Sequence, residues 1–300
     1  MNAETLIGKT PNLHAPSPTV VRLLNLLNDT NADYDEVIST VSRDVVLSAK
    51  LLALCNSASY GLAQPVASLE QGVLYLGYGE IHRLVMALSF GGPIGNELPG
   101  YDMDAGALWR HSLVTALLTP RALALSRTLG ADTSIAYTAG LLHDIGKVVI
   151  GQTLNADSRQ KIHRLVERRE ASLLEAEKTV IGCDHAEIGA SLLRQWHIPE
   201  IIVEAVAFHH HPQLEGAGHL SAVVHVADAI AHQTGASPGW ESFAVVRHEA
   251  ALTTLQLSGT QLELLTLAAL DCEETVARQE KIATARKPGG RVGDVAECAF

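Results

Sequence analysis

Aromatic residues are scarce, with three Trp, six Tyr and four Phe among 300 positions, too few for a core of stacked rings. Leu, Ala and Val dominate instead, so the core is expected to be aliphatic and helical. Basic residues are also short: 22 Lys plus Arg stand against 33 Asp plus Glu, a formal charge of −11. That balance opposes sequence-independent contact with phosphate backbones, so no direct nucleic-acid binding is expected. The four cysteines, Cys55, Cys183, Cys272 and Cys298, are scattered, which excludes a zinc ribbon or a redox dithiol and fits a reducing compartment. No uninterrupted apolar run reaches about eighteen residues, and the opening MNAETLIGKTPNLHAPSP has no secretion-type apolar core. No membrane span or export is therefore expected, and the expected location is cytoplasmic.

What is present is helical periodicity broken by short turns. Val20, Leu23, Leu24 and Leu27 recur at helical spacing before the turn NDTNAD, and Asp33 or Asp35 can cap a helix carrying Val37, Ile38 and Val41. VVLSAKLLALCNSA follows Asp44; SLEQGVLYLG opens near a capping box at Ser68 and ends at Gly77; EIHRLVMALSF is expected to stop at Gly91-Gly92-Pro93. A second helical series runs from LWRHS to AHQT, with Pro120 expected to kink or split its first member and one charged amphipathic stretch from Asp157 to Lys178. The fold class expected is all-α, an N-terminal helical bundle packed on a second helical domain. The boundaries expected are 1–98, 99–235 and a C-terminal helical extension with a loose tail over 236–300.

Across the second series lie His111, the pair His143 and Asp144, His185, the pair His209 and His210, and Asp228. Imidazole and carboxylate in this proportion suit a hard-to-borderline divalent metal, on segments where unpaired polar groups are costly. His143 and Asp144 leave their helix about 100° apart and can reach one ion, and Gly146 allows a close turn. Lys147 shares their side and can meet a phosphate oxygen or salt-bridge Asp144. Asp228 sits in the apolar VVHVADAI, so it needs a metal, an arginine or a helix end as partner. His185, one residue after a potential N-cap at Asp184, and the histidines of FHHHP also have ordinary surface or helix-end roles open to them. A hydrogen-bonded polar core without an ion is a third possibility. His225 reads as core or as a support for the site. His14, His82, His163, His197, His211, His219, His232 and His248 read as surface or capping residues, and Trp109, Trp196 and Trp240 as core or contact residues, with Trp109 near enough to His111 to wall the site.

The order H, HD, H, HH, D on successive helices resembles the HD superfamily of metal-dependent phosphohydrolases. PSPTVVRLLNLLND, VSRDVVLSAKLLALCNSASYGLAQPVASLEQGVLYLG, LWRHS, GLLHDIGK and DHAEIGASLL resemble, more narrowly, the HDOD group of HD-related output domains, over roughly residues 6–235. The resemblance implies an HD-type helical domain and a regulatory output role in bacterial signalling, with a signalling protein or a nucleotide as partner. Many HDOD members are degenerate at the metal positions, whereas this chain keeps every one. It departs from the cyclic-dinucleotide phosphodiesterases of the superfamily: Ala107 stands four residues before His111 where some carry glutamate, and HPQLEGAGHLS has no Gly-Tyr-Pro. The resemblance thus favours a non-catalytic module. The alternative is a phosphohydrolase in which His111, His143, Asp144 and Asp228 hold one ion, His185, His209 and His210 a second, Asp144 bridges, and Lys147 stabilises phosphoryl charge. The mixed ligand set suits iron, manganese or zinc better than calcium, with geometry deciding among the three and iron or manganese favoured.

Overall fold

The computed structural model describes residues 2–10, 13, 15–27, 34–56, 60, 66–126, 132–236, 239 and 249–285. The turn at 28–33, Trp240, His14, His248, Cys298 and the tail from Lys287 lie outside the described residues. Among the described residues there is no β-strand, only an antiparallel bridge between Leu98 and Met103. No described helix is long and apolar enough to cross a membrane. The fold is all-α.

The first helices are α1 (Ala3–Ile7), α2 (Pro18–Leu27), α3 (Tyr34–Ser42), α4 (Val45–Cys55), α5 (Leu69–Leu76) and α6 (Tyr78–Ile94). Leu23, Val37, Ile38, Val41, Leu69, Val73 and Ile81 converge into one aliphatic cluster around α6. The Ser68 hydroxyl accepts from the Gln71 amide and opens α5. Contrary to the sequence-based stop, α6 continues through Gly91 and Gly92 to Ile94. Its Leu84, Val85, Met86, Phe90 and Ile94 are buried, and that burial outweighs the weak helix propensity of two glycines.

The second series comprises α7 (Ala107–Leu125), α8 (Thr133–Leu142), α9 (Ile145–Thr153), α10 (Ala156–Glu167), α11 (Leu173–Ile181), α12 (His185–Gln195), α13 (Glu200–Phe208) and α14 (His219–Thr234), followed by α15 (Glu249–Leu255) and α16 (Gly259–Ala285). Pro120 does not split α7, which stays one helix; the Thr119 hydroxyl donates to the Thr115 carbonyl at 2.7 Å beside it. The stretch 157–178 is two helices, not one. Ser172 and Glu175 form a reciprocal capping box that starts α11 afresh, and Arg169 takes a positive φ of 55° just before it. Helices α8 and α14 are apolar on nearly every face and buried along almost their whole length, which marks them as the centre of the molecule. Helices α7 and α8 pack closely at Gly140, where a Cβ would lie 3.0 Å from Ala116 Cα. Helix α16 covers α7 and α14: Arg121 donates to the Ala268 carbonyl, and Gln261 to the Leu125 carbonyl.

His82, expected at the surface, is buried in α6 between the N-terminal cluster and Tyr137 of α8, with neither ring nitrogen hydrogen-bonded. Burial, and then the nearby Arg83 charge, push its pKa down to about 3. An unfolded chain titrates near 6.5. As the pH falls from about 6.5 towards 3, the unfolded state takes up a proton that the folded state refuses, so stability is lost at up to about 1.4 kcal/mol per pH unit. Urea unfolding between pH 6.5 and 4.5 is expected to give His82→Leu a shallower acid decline than the parent. Parallel declines would contradict this assignment.

Candidate metal centre

Four helix ends and two helix interiors bring the eight sequence-selected residues together. The run GLLHDIGK breaks between α8 and α9, so His143 ends one helix and Asp144 opens the next. His111 comes from α7, Asp228 from α14, His185 from the first turn of α12, and His209 and His210 from the end of α13. Asp184 and Glu187 form the capping box that fixes the start of α12. Gly146 has an ordinary φ, and its role is a close approach rather than a turn: a Cβ there would overlap the His185 carbonyl and lie 2.8 Å from the Gly189 amide. Helices α9 and α12 therefore touch backbone to backbone.

Each of four rings is anchored by Nδ1. His111 Nδ1 donates to the Ala236 carbonyl at 2.6 Å, His143 Nδ1 to Gly140 at 2.8 Å, and His209 Nδ1 to Val206 at 2.7 Å. His185 Nδ1 meets the Glu177 carboxylate at 2.9 Å. Carbonyls and carboxylates accept only, so these contacts hold a proton on Nδ1 and turn Nε2 inward, where the neutral form of each ring offers a lone pair.

The inward atoms form two adjoining groups. In the first, His111 Nε2 lies 3.0 Å from Asp228 Oδ1 and 3.1 Å from His143 Nε2, and His143 Nε2 lies 3.3 Å from Asp144 Oδ2 and 3.5 Å from Asp228 Oδ1. In the second, Asp144 Oδ1 lies 3.4 Å from His185 Nε2 and 3.8 Å from His209 Nε2, while His185 Nε2 is 2.8 Å from His210 Nε2. Asp144 turns one oxygen to each group. Lys147 Nζ donates to Asp144 Oδ2 at 2.7 Å, taking up the salt-bridge alternative. His111, His143, Asp144, Lys147, His185, His209 and Asp228 are at most 1% exposed, and only His210 is half-buried.

Such a cluster of acceptors needs positive charge. Burial opposes charge on His143, but Asp144 and then Asp228 overcome it and hold its pKa up near 10. Burial likewise opposes charge on His185, and Glu177 raises it to about 9. Burial and the neighbouring His143 hold His209 down near 3. Burial favours the neutral acid of Asp144, yet His143 and Lys147 pull it well below the carboxylate range. Even so, Asp144 Oδ1, His209 Nε2 and both Asp228 oxygens lack a hydrogen bond of good geometry. The donor set fits a divalent cation, or a pair sharing Asp144, and subsets of three and four donors lie within 4.8 Å of one another.

Four further residues support the site. Glu177, buried in α11, accepts from the His185 amide and ring and from the Tyr101 hydroxyl. His225 Nδ1 donates to the His209 carbonyl at 2.7 Å, in line with the supporting role open to it. His232, expected at the surface, is buried with Nε2 3.3 Å from Asp228 Oδ1 and its ring 4.4 Å from that of His111; its position four residues after Asp228 on one helix was the available signal. Glu273 of α16 accepts from the Ala236 amide, whose carbonyl anchors His111. Trp109 is buried in α7, and His163, His197, His211 and His219 stay exposed or half-exposed.

Comparison with known proteins adds a family. The HDOD domain matches over residues 13–212. An uncharacterized protein of Treponema pallidum is 25% identical over 193 residues, 64% of this chain and 36% of its own length. Ribonuclease Y of Thermus thermophilus is 33% identical over 174 residues, 58% of this chain and 22% of its own length. The chain thus spans about a third or less of these relatives. Among solved structures, an HDOD domain protein of unknown function from Geobacter sulfurreducens superposes with a TM-score of 0.66 at 22% identity, covering 99% of this chain and 97% of that one. A proposed signal transduction protein from Marinobacter aquaeolei gives 0.72 at 21% identity, covering 91% and 60%. A proposed phosphohydrolase from Shewanella amazonensis gives 0.58 at 23% identity, covering 98% and 96%.

Proposed function

Because this chain belongs to the HDOD domain family, we propose that it is a signalling output module whose helix packing is set by a buried site for one or two divalent ions, iron or manganese by preference. The observation that carries this reading is the closure of the site. Seven of its eight side chains are at most 1% exposed, and Lys147 already occupies Asp144 Oδ2. A phosphoester would have to displace packed side chains to reach the acceptors. By contrast, the ions would tie α7, α8, α12, α13 and α14 together, so occupancy biases the surface offered to a signalling protein or nucleotide.

The second reading, a metal-dependent phosphohydrolase, is favoured by the two oxygens of Asp144 facing two donor groups and by the similarity to Ribonuclease Y. Bound there, paired ions would supply Lewis acidity towards a phosphoryl group. In that case Lys147 must leave Asp144 Oδ2 to meet the phosphoryl oxygens. The acidic balance of −11 disfavours RNA as the ester.

The test is to compare metal-loaded and chelator-treated protein by amide hydrogen exchange, beside turnover assays on nucleotides, cyclic dinucleotides and single-stranded RNA. Occupancy is expected to slow exchange in α12, α13 and α14 with no turnover. Turnover by the parent that is abolished in Asp144→Ala would overturn the signalling reading in favour of the hydrolase.

A further inference from the structure

Glu177 is an unusual residue for its place. Helix α11 buries Leu173, Ala176, Glu177 and Ile181, so a carboxylate occupies one position of the apolar stripe, fully removed from solvent. A buried carboxylate costs several kcal/mol unless its oxygens are satisfied. Three donors from two residues, Tyr101 and His185, satisfy it. Tyr101, from the short 3-10 turn Pro99–Tyr101, donates its hydroxyl to Oε1 at 2.6 Å. The His185 backbone amide and ring Nδ1 both meet Oε2, at 2.8 and 2.9 Å.

The two bonds to His185 fix different things. The amide bond holds the first residue of α12 in place, and the ring bond fixes which nitrogen carries the proton. With Nδ1 committed to Glu177, Nε2 is turned towards Asp144 Oδ1 and His210 Nε2. The other three anchored rings donate to neutral backbone carbonyls. Only His185 is backed by a carboxylate, which increases the electron density at its Nε2 and favours a cation there over one in the first group.

We propose that Glu177, braced by the Tyr101 hydroxyl, is a positioning residue that sets the affinity of the His185, His209, His210 and Asp144 group for its divalent ion. The inference rests on the two-group metal reading above. It adds that the two groups are held by different means, so the second can be weakened alone. It also makes the turn at 99–101 part of the support of that group, through Tyr101.

The test uses the full-length chain titrated with Co²⁺ after chelator treatment, with elemental analysis for stoichiometry and the visible d–d spectrum for ligand geometry. Glu177→Gln keeps shape and volume but removes the charge. It is expected to weaken the second ion by about 10–100-fold and to change its spectrum while the first ion stays bound. Glu177→Asp should recover part of that loss, a rescue that a packing role alone would not give. Tyr101→Phe, which loses one hydroxyl, should weaken the same ion by a smaller factor, and it decides the matter if the Glu177 variants do not fold. Parent-like titration and spectrum in Glu177→Gln, or in Tyr101→Phe where that variant decides, would overturn the proposal. A parent that binds no metal would instead sink the underlying metal reading.

Discussion

Gly146→Ala is expected to destabilise the protein by about 3 kcal/mol or more and to abolish the second group of metal donors. The added methyl would overlap the His185 carbonyl and press on the Gly189 amide. Both obstacles are backbone atoms of α12, which cannot rotate away as a side chain can. Overpacking a core commonly costs about 1–3 kcal/mol, and this case falls at the top of that range because two helices must separate. Separation carries His185 away from Asp144, so metal content should fall even in the fraction that folds. Gly77 provides a contrast of mechanism: nothing lies within 4 Å of its Cβ position, so alanine there meets no obstacle and its cost, about 1–3 kcal/mol, is backbone strain alone, from a φ of 81° and ψ of 156° that suit only glycine. Urea unfolding with metal analysis of both variants checks the prediction. A Gly146→Ala protein within about 1 kcal/mol of the parent and with unchanged metal would contradict it.

Chelation should have the second large effect. An ion present at about a hundred times its dissociation constant stabilises the folded state by about 2.7 kcal/mol, so two ions give about 5 kcal/mol. For a chain of this size that corresponds to a fall of roughly 10 °C in the unfolding midpoint. Protons on His143 and His185, which Asp144, Asp228 and Glu177 favour, are expected to offset part of the loss, so the stripped protein should still fold. Thermal unfolding followed by circular dichroism, with chelator and then with metal restored, measures the shift. An unchanged midpoint would favour the ion-free polar network.

Much of this was legible in the chain. Apolar spacing marks α2 and α3, and the HD pair reads as a helix end, as it is in the fold, because short-range periodicity and caps decide such features. The split of 157–178 was also written there, as Ser172 three residues before Glu175, but continuous amphipathicity concealed it. The course of α6 past two glycines could not be read locally, since tertiary burial overrides propensity there. Likewise, seven histidines and aspartates could be nominated from residue type alone, yet their anchoring could not. The carbonyls of Gly140, Val206 and Ala236 that orient the rings belong to residues with no chemical signature of their own. Glu177 did leave a mark, a charge at a buried position of a helical stripe, as did His232 one turn after Asp228. Gly146 was legible as special, but only the approach of α12 shows that closeness rather than turning is what it provides.

The most direct measurement is elemental analysis of protein purified without added metal, made in parallel on the parent and on the double variant His143→Ala, Asp144→Ala. Convergence of inward Nε2 atoms and carboxylates predicts one or two divalent ions per parent chain and none in the variant. A parent free of metal, or a variant that retains the parental content, would contradict the assignment of these residues as a metal site.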